Sequence, residues 1–570
     1  MKIEIQRHSL AHVLAAAVLE MFPEAKLGIG PNIENGFYYD FDLPRTLQPE
    51  DLPLLQKKMM KIISQAQKFE KYTEPLDQAT AFLKEVKQDY KIELIQDLKN
   101  QGEKEVGFYK NGSFVDLCKG QHVEHTGQLT KNFKLMKIAG AYWKGDSSRP
   151  MLQRIYAVAF ATKQELKDYL KMLEEAKKRD HKLLGKKLDL FSFHEEGQGF
   201  PFFHNKGMRI INKLLEYWRF EHQNYEEIRT PIILNRQLWE KSGHWQNYKE
   251  NMYTTNIDEV EHAIKPMNCP GGIIIYKNKE HSYRDLPIRS GEFGLVHRHE
   301  LSGVLNGLFR VRNFVQDDAH IFCRPNQIKD ELVGVINLIL KMYDTFGFKK
   351  VDIYLSTRPE KSVGSDQNWE MAENGLKEAL KEKKIDYIVN EGDGAFYGPK
   401  IDFIIYDALN REWQCATVQL DFNLPERFEL EYIESDGKKH RPVMIHRVIY
   451  GALERFLGIL IEHYAGAFPF WLAPIQVVIL PVAEVHEDYA QDLYKKWKQD
   501  YFVEVYDSSL SLGKRIRQAE LQKIPLMVIV GDKELQEKNI AVRKYVDKSQ
   551  QSMEIKELEK LIKNLTKNRQ

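Results

Sequence analysis

The chain has 570 residues, a length that suits three or four domains and can bury several hydrophobic cores without a disulfide or metal staple. Its 83 Lys and Arg residues nearly balance 82 Asp and Glu residues, which excludes a protein that coats polyanions through a large excess of positive charge. There are four cysteines and no apolar run near the ~18 residues of a membrane span, so composition indicates a protein of the reducing cytoplasm without membrane contact.

The first segment, residues 1–160, is predicted to mix short strands and helices. His8 and His12 are spaced to share one face of a helix, and Cys118 and His122 form a second pair of metal-ligand types. These residues alone indicate a zinc site.

Residues 161–195 are predicted to form a helical linker. Thr162 and Glu165 have the spacing of a capping box, and apolar residues follow at helical intervals opposite a Lys-rich face. The pattern is typical of a solvated amphipathic helix, and it also suits a connector that touches a phosphate backbone.

The largest segment, residues 196–468, contains an alternating stretch at 308–322 that predicts a strand. One face would carry polar and aromatic groups suited to phosphates, a base or a metal, and the other an apolar set. Residues 293–300 predict a second strand, which the loop 301–307 would turn back antiparallel, so that an Arg on each arm could clamp a phosphate. An ordinary solvated strand face explains the pattern equally well. The polar face comprises Arg310, Arg312, Phe314, Gln316, Asp318 and His320.

The last segment, residues 469–570, alternates strand-like and helix-like patterns and predicts a compact α/β domain with a mainly parallel sheet. Its densest basic group, Lys514, Arg515 and Arg517, starts a predicted helix and is typical of ordinary surface charge.

The hairpin from Arg298 to Gln316, the Gly451–Arg455 segment and Pro231 resemble the three motifs of class II aminoacyl-tRNA synthetases. Four further segments, 265–271, 316–320, 395–400 and 442–447, resemble the threonyl-tRNA synthetases, and this similarity extends essentially end to end. The resemblance implies an α+β multidomain chain with an N-terminal α+β editing domain, a class II antiparallel catalytic sheet and a C-terminal α/β anticodon-binding domain.

The resemblance also implies site residues. The catalytic set is Arg298, Arg455 and His244, the last for proton transfer. ATP with Mg²⁺ would contact Arg298, Glu300, Arg310, Phe314, Gln414 and Arg455. Threonine would contact Met267, Gln316, Asp318, Tyr397, Lys400 and Gln419. One Zn²⁺ per subunit would bind Cys269, His320 and His446. The anticodon of tRNA(Thr) would contact Arg517, Glu534 and Arg543, and the first motif would form a homodimer.

A threonine enzyme benefits from a metal because an apolar pocket separates the near-isosteric valine poorly. Serine lacks only a methyl group, and that difference gives a selectivity of only about 10–200-fold. A second site that hydrolyses the serine product is therefore expected. The resemblance therefore makes the N-terminal histidines part of an editing pocket, in which imidazole-activated water would suffice without a metal. The editing set is His8, His12, Lys91, Asp116, Cys118 and His122.

Three departures from the family pattern stand out. The chain opens at the editing segment rather than at a ubiquitin-like domain, Gly272 replaces the usual His, and Gln121 replaces a common proline. Gly272 could change the pocket shape, and Gln121 could loosen the editing loop. Two alternatives stay open: an RNA-binding regulator on a synthetase scaffold, and an enzyme that adenylates an amino acid for a carrier protein.

Overall fold

The computed structural model describes residues 2–569, which form two compact units divided between Glu174 and Glu175. In the first unit, five strands form an antiparallel sheet in the order β1-β3-β8-β7 with β2 on β3, and β4-β5-β6 form a second. Helix α1 is largely buried because its Leu and Ala side chains pack on α2 and β3. The elements are α1 (Ile3–Met21), β1 (Lys26–Leu27), β2 (Asn32–Ile33), β3 (Gly36–Asp42), α2 (Asp51–Ser64), β4 (Glu70–Pro75), α3 (Leu76–Glu85), α4 (Asp89–Asn100), β5 (Glu105–Asn111), β6 (Phe114–Leu117), β7 (Phe133–Tyr142) and β8 (Met151–Ala159).

Helix α5 (Lys163–Arg179) begins with the predicted capping box. The Glu165 carboxylate accepts from the Thr162 backbone N–H at 2.9 Å, and the Thr162 hydroxyl accepts from the Glu165 N–H at 3.2 Å. Every residue of α5 is at least partly exposed, as the solvated-helix interpretation predicted.

The second unit is built on a mixed eight-stranded sheet in the order β11-β15-β16-β23-β20-β19-β17-β18. Its six central strands are all antiparallel, which confirms the predicted class of fold. The strands are β9 (Phe191–Ser192), β10 (Phe202–Phe203), β11 (Glu226–Glu227), β12 (Ile233–Asn235), β13 (Thr254–Ile257), β14 (Val260–Ile264), β15 (Ile288–His297), β16 (Asn313–Cys323), β17 (Val351–Ser356), β18 (Ile388–Asn390), β19 (Lys400–Tyr406), β20 (Glu412–Asp421), β21 (Tyr432–Ile433), β22 (Lys439–His440) and β23 (Val443–Val448).

Helices cover one face of this sheet because α11, α12 and α14 contribute buried Leu, Ile and Phe side chains to one large core. The helices are α6 (His181–Lys187), α7 (Asn205–Glu221), α8 (Arg236–Ser242), α9 (His244–Tyr248), α10 (Cys269–Lys277), α11 (Ile328–Thr345), α12 (Asp366–Glu382), α13 (Asn423–Arg427) and α14 (Leu453–His463).

The predicted hairpin is present, because β15 pairs antiparallel with β16. The predicted start of its second strand at residue 308 was wrong: Gly307–Phe309 forms a 3₁₀ turn, and β16 begins at Asn313. Gly307 has a φ of +51°, a left-handed conformation that breaks the extended pattern. Arg310 and Arg312 therefore lie before the strand rather than on its face.

The C-terminal sheet has the order β25-β24-β26-β27-β28 and is only half parallel, so the expectation of a mainly parallel sheet was wrong. Residues 531–538 contain one short helix between β26 and β27, too little chain for the crossover that a parallel neighbour needs. The elements are β24 (Val477–Pro481), α15 (Glu487–Trp497), β25 (Val503–Val505), α16 (Leu512–Leu521), β26 (Leu526–Val530), α17 (Asp532–Glu537), β27 (Asn539–Lys544), β28 (Gln550–Glu554) and α18 (Ile555–Lys567).

All four cysteines are free and buried. Burial raises the pKa of Cys118 to about 11 and that of Cys415 to about 12, and it also raises the pKa values of Cys269 and Cys323. Within residues 2–569, no helix is both long and apolar enough to span a bilayer.

A buried carboxylate joins β16 to the chain between β23 and α14. Asp317 lies on the face predicted to be apolar, and its oxygens accept from the backbone N–H groups of Ile449 and Gly451 at 3.0 Å each. Burial raises the pKa of Asp317 to about 7. This side chain therefore ties two neighbouring parts of the sheet together at the cost of desolvation.

We expect Asp317→Ala to destabilise the second unit by about 1–3 kcal/mol for each backbone N–H left buried without a partner. Asp317→Asn keeps one acceptor oxygen and should cost less. Because the folded pKa lies above the unfolded value of 3.8, folding favours the protonated form, and stability falls as pH rises between those two values. Denaturant unfolding should show that the free energy of unfolding falls less from about pH 5 to pH 7 in Asp317→Asn than in wild type. Equal pH slopes would contradict the raised pKa of Asp317.

Candidate active site

Strand pairing brings two histidines together on the sheet. His320 of β16 is in register with His446 of β23, and Cys269 begins α10. One ligand atom from each of these three residues lies within 4.8 Å of the others, and all three are buried. The Nε2 atom of His320 has no hydrogen-bond partner among the described residues. A thiol and two imidazoles are typical zinc ligands, and three of them leave a fourth coordination position, so the donor set fits Zn²⁺.

Asp421, the last residue of β20, orients one of these imidazoles. Its Oδ2 lies 2.9 Å from His446 Nε2, while its Oδ1 accepts from the backbone N–H groups of Asn423 and Leu424. An ionised carboxylate can only accept, so Nε2 of His446 carries the proton and its Nδ1 keeps a lone pair. This is the arrangement that prepares a histidine to bind a metal.

A cavity of about 390 Å³ opens beside the three candidate ligands. The Asp318 carboxylate in its wall accepts from Asn268 Nδ2 at 3.2 Å, and the Tyr397 hydroxyl donates to Gln419 at 2.7 Å. Burial raises the pKa of Asp318 and lowers that of His320. The structure thus brings all six residues expected to contact threonine to one cavity: Met267, Gln316, Asp318, Tyr397, Lys400 and Gln419.

A second cavity of about 440 Å³ shares Arg298, Gln316 and Gln414 with the first. Its Arg310 pairs with Glu300 at 2.8 Å, and the Arg298 guanidinium lies 5.1 Å from the centre of the Phe314 ring. The wall contains every residue expected to contact ATP: Arg298, Glu300, Arg310, Phe314, Gln414 and Arg455.

Gly451, where α14 is about to begin, belongs to the wall of the second cavity. It has a φ of +74°, and a Cβ atom there would lie 2.9 Å from the Cys415 carbonyl oxygen. Only glycine allows this close approach of backbone to backbone.

His244 is fully buried behind the first cavity rather than in its wall. Its Nδ1 contacts Ser242 Oγ, and its Nε2 lies 3.1 Å from Met267 Sδ. Burial lowers the pKa of His244 to about 3, so the imidazole is neutral. Gly272 lies beside the candidate metal ligands, where an added Cβ would be 3.3 Å from His320 Nδ1.

In the first unit, the four predicted ligand types converge: His8, His12, Cys118 and His122 offer atoms within 4.8 Å of one another. Cys118 Sγ contacts His8 Nε2 at 3.0 Å and His122 Nε2 at 3.4 Å. Burial lowers the pKa of His122 to about 2, so its ring is neutral.

Next to this group, Lys91 and Asp116 form a buried ion pair at 2.6 Å, and Tyr39 donates to the same carboxylate. The structure therefore joins all six predicted editing residues in one polar cluster. Gln121 is exposed on the neighbouring loop.

The three predicted anticodon contacts lie in the C-terminal domain. Arg517 is exposed on α16, Arg543 pairs with Glu520 of the same helix at 3.0 Å, and the Glu534 carboxylate accepts from the Gly531 N–H. The sequence pattern predicted that Arg515 is ordinary surface charge, and this prediction was wrong. Arg515 is buried and donates to the carbonyl oxygens of Leu510, Tyr506 and Pro481.

Sequence reasoning missed two residues that support the cavity, Asp421 and Asn268. Asn268 lies inside a segment whose similarity was evident, and Asp421 follows Gln419 by two residues on the same strand face. The sequence positions of Asn268 and Asp421 therefore pointed to the site, but the hydrogen bonds that they make could not be predicted from those positions.

Comparison with known proteins agrees with this arrangement. The tRNA synthetase class II core domain (G, H, P, S and T) matches residues 253–464, the anticodon binding domain matches 476–565, and the threonyl and alanyl tRNA synthetase second additional domain matches 106–156. The threonine–tRNA ligase of Carboxydothermus hydrogenoformans is 58% identical over 95% of this chain and 85% of that protein. The chain belongs to the threonine–tRNA ligase family.

Other family members show the same relationship. The threonine–tRNA ligase of Acetivibrio thermocellus is 55% identical over 99% of this chain and 89% of that protein. The crystal structure of the RNA binding domain of threonyl-tRNA synthetase from Cryptosporidium parvum superimposes with a TM-score of 0.66 at 40% identity, covering 68% of this chain and 98% of that one. Neither the regulator nor the carrier-loading alternative is favoured by these relatives.

We expect Asp421→Asn to weaken the binding of added Zn²⁺ by about 10–100-fold. The amide oxygen can still cap α13, but the amide N–H would then face His446 Nε2 and move the ring proton to Nδ1. Competition with a chromogenic chelator measures the affinity. Asp407→Asn is the matched control, because Asp407 is also buried and accepts from backbone N–H groups but contacts none of the three ligands. Equal affinity in Asp421→Asn and wild type would contradict the orienting role.

Proposed function

We propose that this chain activates L-threonine with ATP and transfers it to the 3′ end of tRNA(Thr) in the cytoplasm. The observation that carries the proposal is the pair of adjoining cavities, one polar and beside a zinc-type donor set, the other lined by arginines, which share Arg298. Names of relatives at 55–58% identity support the same activity.

The two cavities explain how the substrates would meet. A small amino acid in the first cavity would direct its carboxylate toward Arg298, which lines both cavities. Arg298 would neutralise the α-phosphate there, while Arg310 holds the far phosphates, with Mg²⁺ accompanying ATP. Phe314 and Arg455 would enclose the adenine. Attack of the carboxylate on the α-phosphate then gives threonyl-adenylate and pyrophosphate.

The zinc-type group explains selection of threonine. Cys269, His320 and His446 would hold Zn²⁺, which supplies a Lewis acid able to bind the amine and hydroxyl of the amino acid. Asp318, fixed by Asn268, would accept a hydrogen bond from the same hydroxyl. Valine leaves these buried polar groups unpaired and should be rejected strongly.

Transfer to tRNA would follow in the same cavity. We propose that His244 helps to remove the proton of the tRNA 3′-hydroxyl. In the structure, Nε2 of His244 is buried against the sulfur of Met267, so the ring must first move away from that sulfur. Arg517, Glu534 and Arg543 are proposed to contact the anticodon.

A homodimer through the first motif is part of the proposal. Large apolar side chains are exposed on α7, β12 and α10 of the catalytic segment, where a second copy could cover them. They include Phe220, Ile233 and Ile274. The proposed domains are residues 1–160 for editing, 161–195 as linker, 196–468 for catalysis and 469–570 for the anticodon.

Serine that escapes the first selection would be removed in the first unit. Burial lowers the pKa values of His8, His12 and His122, so their imidazoles are neutral and can accept a proton from water, and the buried Lys91–Asp116 pair lies beside them. We propose that this cluster hydrolyses seryl-tRNA(Thr).

ATP–pyrophosphate exchange tests the activity directly. We expect exchange with threonine, exchange with serine reduced by about 10–200-fold, and rejection of valine by about 10⁴-fold or more. Asp318→Asn should raise the KM for threonine, whereas Asp436→Asn, an exposed carboxylate near β22, should leave it unchanged. Absence of threonine-dependent exchange in the wild-type protein would refute the proposed activity.

Deacylation of preformed seryl-tRNA(Thr) tests the editing proposal separately. We expect His122→Ala to slow hydrolysis of seryl-tRNA by at least about 10²-fold, the lower end of a general-base contribution, with threonine activation unchanged. His125→Ala, three residues further along, is the control for a nearby histidine outside the cluster. Rapid hydrolysis by His122→Ala would remove this site while leaving the ligase activity standing.

A further inference from the structure

A third group of metal-ligand types lies outside both cavities. Asp180, His181 and Glu462 offer atoms within 4.8 Å of one another. Asp180 caps α6 through the N–H groups of Lys182 and Leu183. His181 begins that helix, and Glu462 lies near the end of α14; both side chains are almost completely buried.

Both ring nitrogens of His181 are already used. Nδ1 lies 2.7 Å from Glu462 Oε1, which also accepts from the His181 backbone N–H at 2.9 Å. Since the carboxylate accepts, Nδ1 carries the proton, and Nε2 accepts from the Leu308 backbone N–H at 3.0 Å. With no lone pair left on the ring, the group suits a structural role better than a cation.

The turn that His181 holds leads directly into the nucleotide cavity. Its ring packs against Phe309 with centroids 4.0 Å apart, and an added Cβ on Gly307 would lie 2.3 Å from Nε2. The turn Gly307–Phe309 therefore rests on the imidazole, and Arg310 is the next residue.

The other side of the cluster reaches the helix that carries Arg455. Glu462 lies two turns further along α14, and its Oε2 pairs with Arg411 at 2.5 Å. Phe309 also packs on Trp413 at 4.4 Å, and Arg455 lies 5.8 Å from the same indole ring. His181 and Glu462 thus connect the turn before Arg310 to the helix of Arg455.

We propose that His181 is a positioning residue of the nucleotide site: it fixes the 307–309 turn against α14 so that Arg310 and Arg455 keep the spacing that ATP needs. This inference rests on the proposed function, which assigns those arginines to ATP. His181 lines neither cavity, so it would act through the 307–309 turn and α14.

Two amide substitutions separate this role from general stability. In His181→Asn the amide nitrogen occupies the place of Nδ1 and keeps the bond to Glu462, but the acceptor for Leu308 is lost. In His181→Gln the amide oxygen reaches the place of Nε2 and keeps the bond to Leu308, but the side-chain bond to Glu462 is lost while the backbone N–H bond to Glu462 remains. Each variant removes one buried hydrogen bond, so the midpoint of thermal unfolding should fall in both.

Pyrophosphate exchange on the full chain then compares the two variants. We expect His181→Asn to raise the KM for ATP by about tenfold with the KM for threonine unchanged, because a buried N–H of the turn loses its partner. His181→Gln should stay within about twofold of wild type, because it keeps the acceptor for Leu308 and its backbone N–H still holds residue 181 to Glu462 of α14. Equal ATP KM values for the two variants, whether raised or normal, would overturn the inference.

Arg310→Ala, measured in parallel, distinguishes failure of this inference from failure of the proposed function. A raised ATP KM in Arg310→Ala supports the nucleotide assignment. Unchanged ATP binding in that variant would refute the assignment itself, and the inference with it.

Discussion

The candidate active site depends on the register of β16 between its two neighbours. Its pairing with β23 places His320 opposite His446, and the two-residue period puts Gln316 and Asp318 on the same side. A shift of one residue would turn all three away and present Asp317 to the cavity instead. The bonds from Asp317 to the chain after β23 oppose such a shift, so one buried carboxylate supports the geometry of the whole site.

Local patterns predicted much of the fold. The capping box at Thr162 and the helix that carries His8 and His12 form from interactions that span few residues, and the β15–β16 hairpin pairs two strands that follow each other in the chain. The errors arose where backbone conformation or connection length overrode a pattern. The left-handed conformation of Gly307 makes β16 begin several residues later than predicted. The segment between β26 and β27 is so short that these strands can pair only antiparallel.

The site was less accessible to sequence reasoning. The residues Cys269, His320 and His446 are far apart in the chain, and only resemblance to a family grouped them. Asp421 meets His446 across 25 residues and His181 meets Glu462 across 281, so neither contact has a local signature. Such contacts arise only when distant segments of the chain fold together, so the sequence does not show which carboxylate a buried imidazole faces.

Burial of the cysteines has a consequence for chemistry in solution. The thiolate is the form that reacts with oxidants and alkylating agents, and burial raises the pKa of Cys118, Cys323 and Cys415, the three thiols outside the candidate zinc site, so these stay protonated. Modification must therefore wait for local opening of the chain. Cys118 would report opening of the first unit, and Cys323 and Cys415 opening of the second, so the rate of thiol modification would measure how often each unit opens.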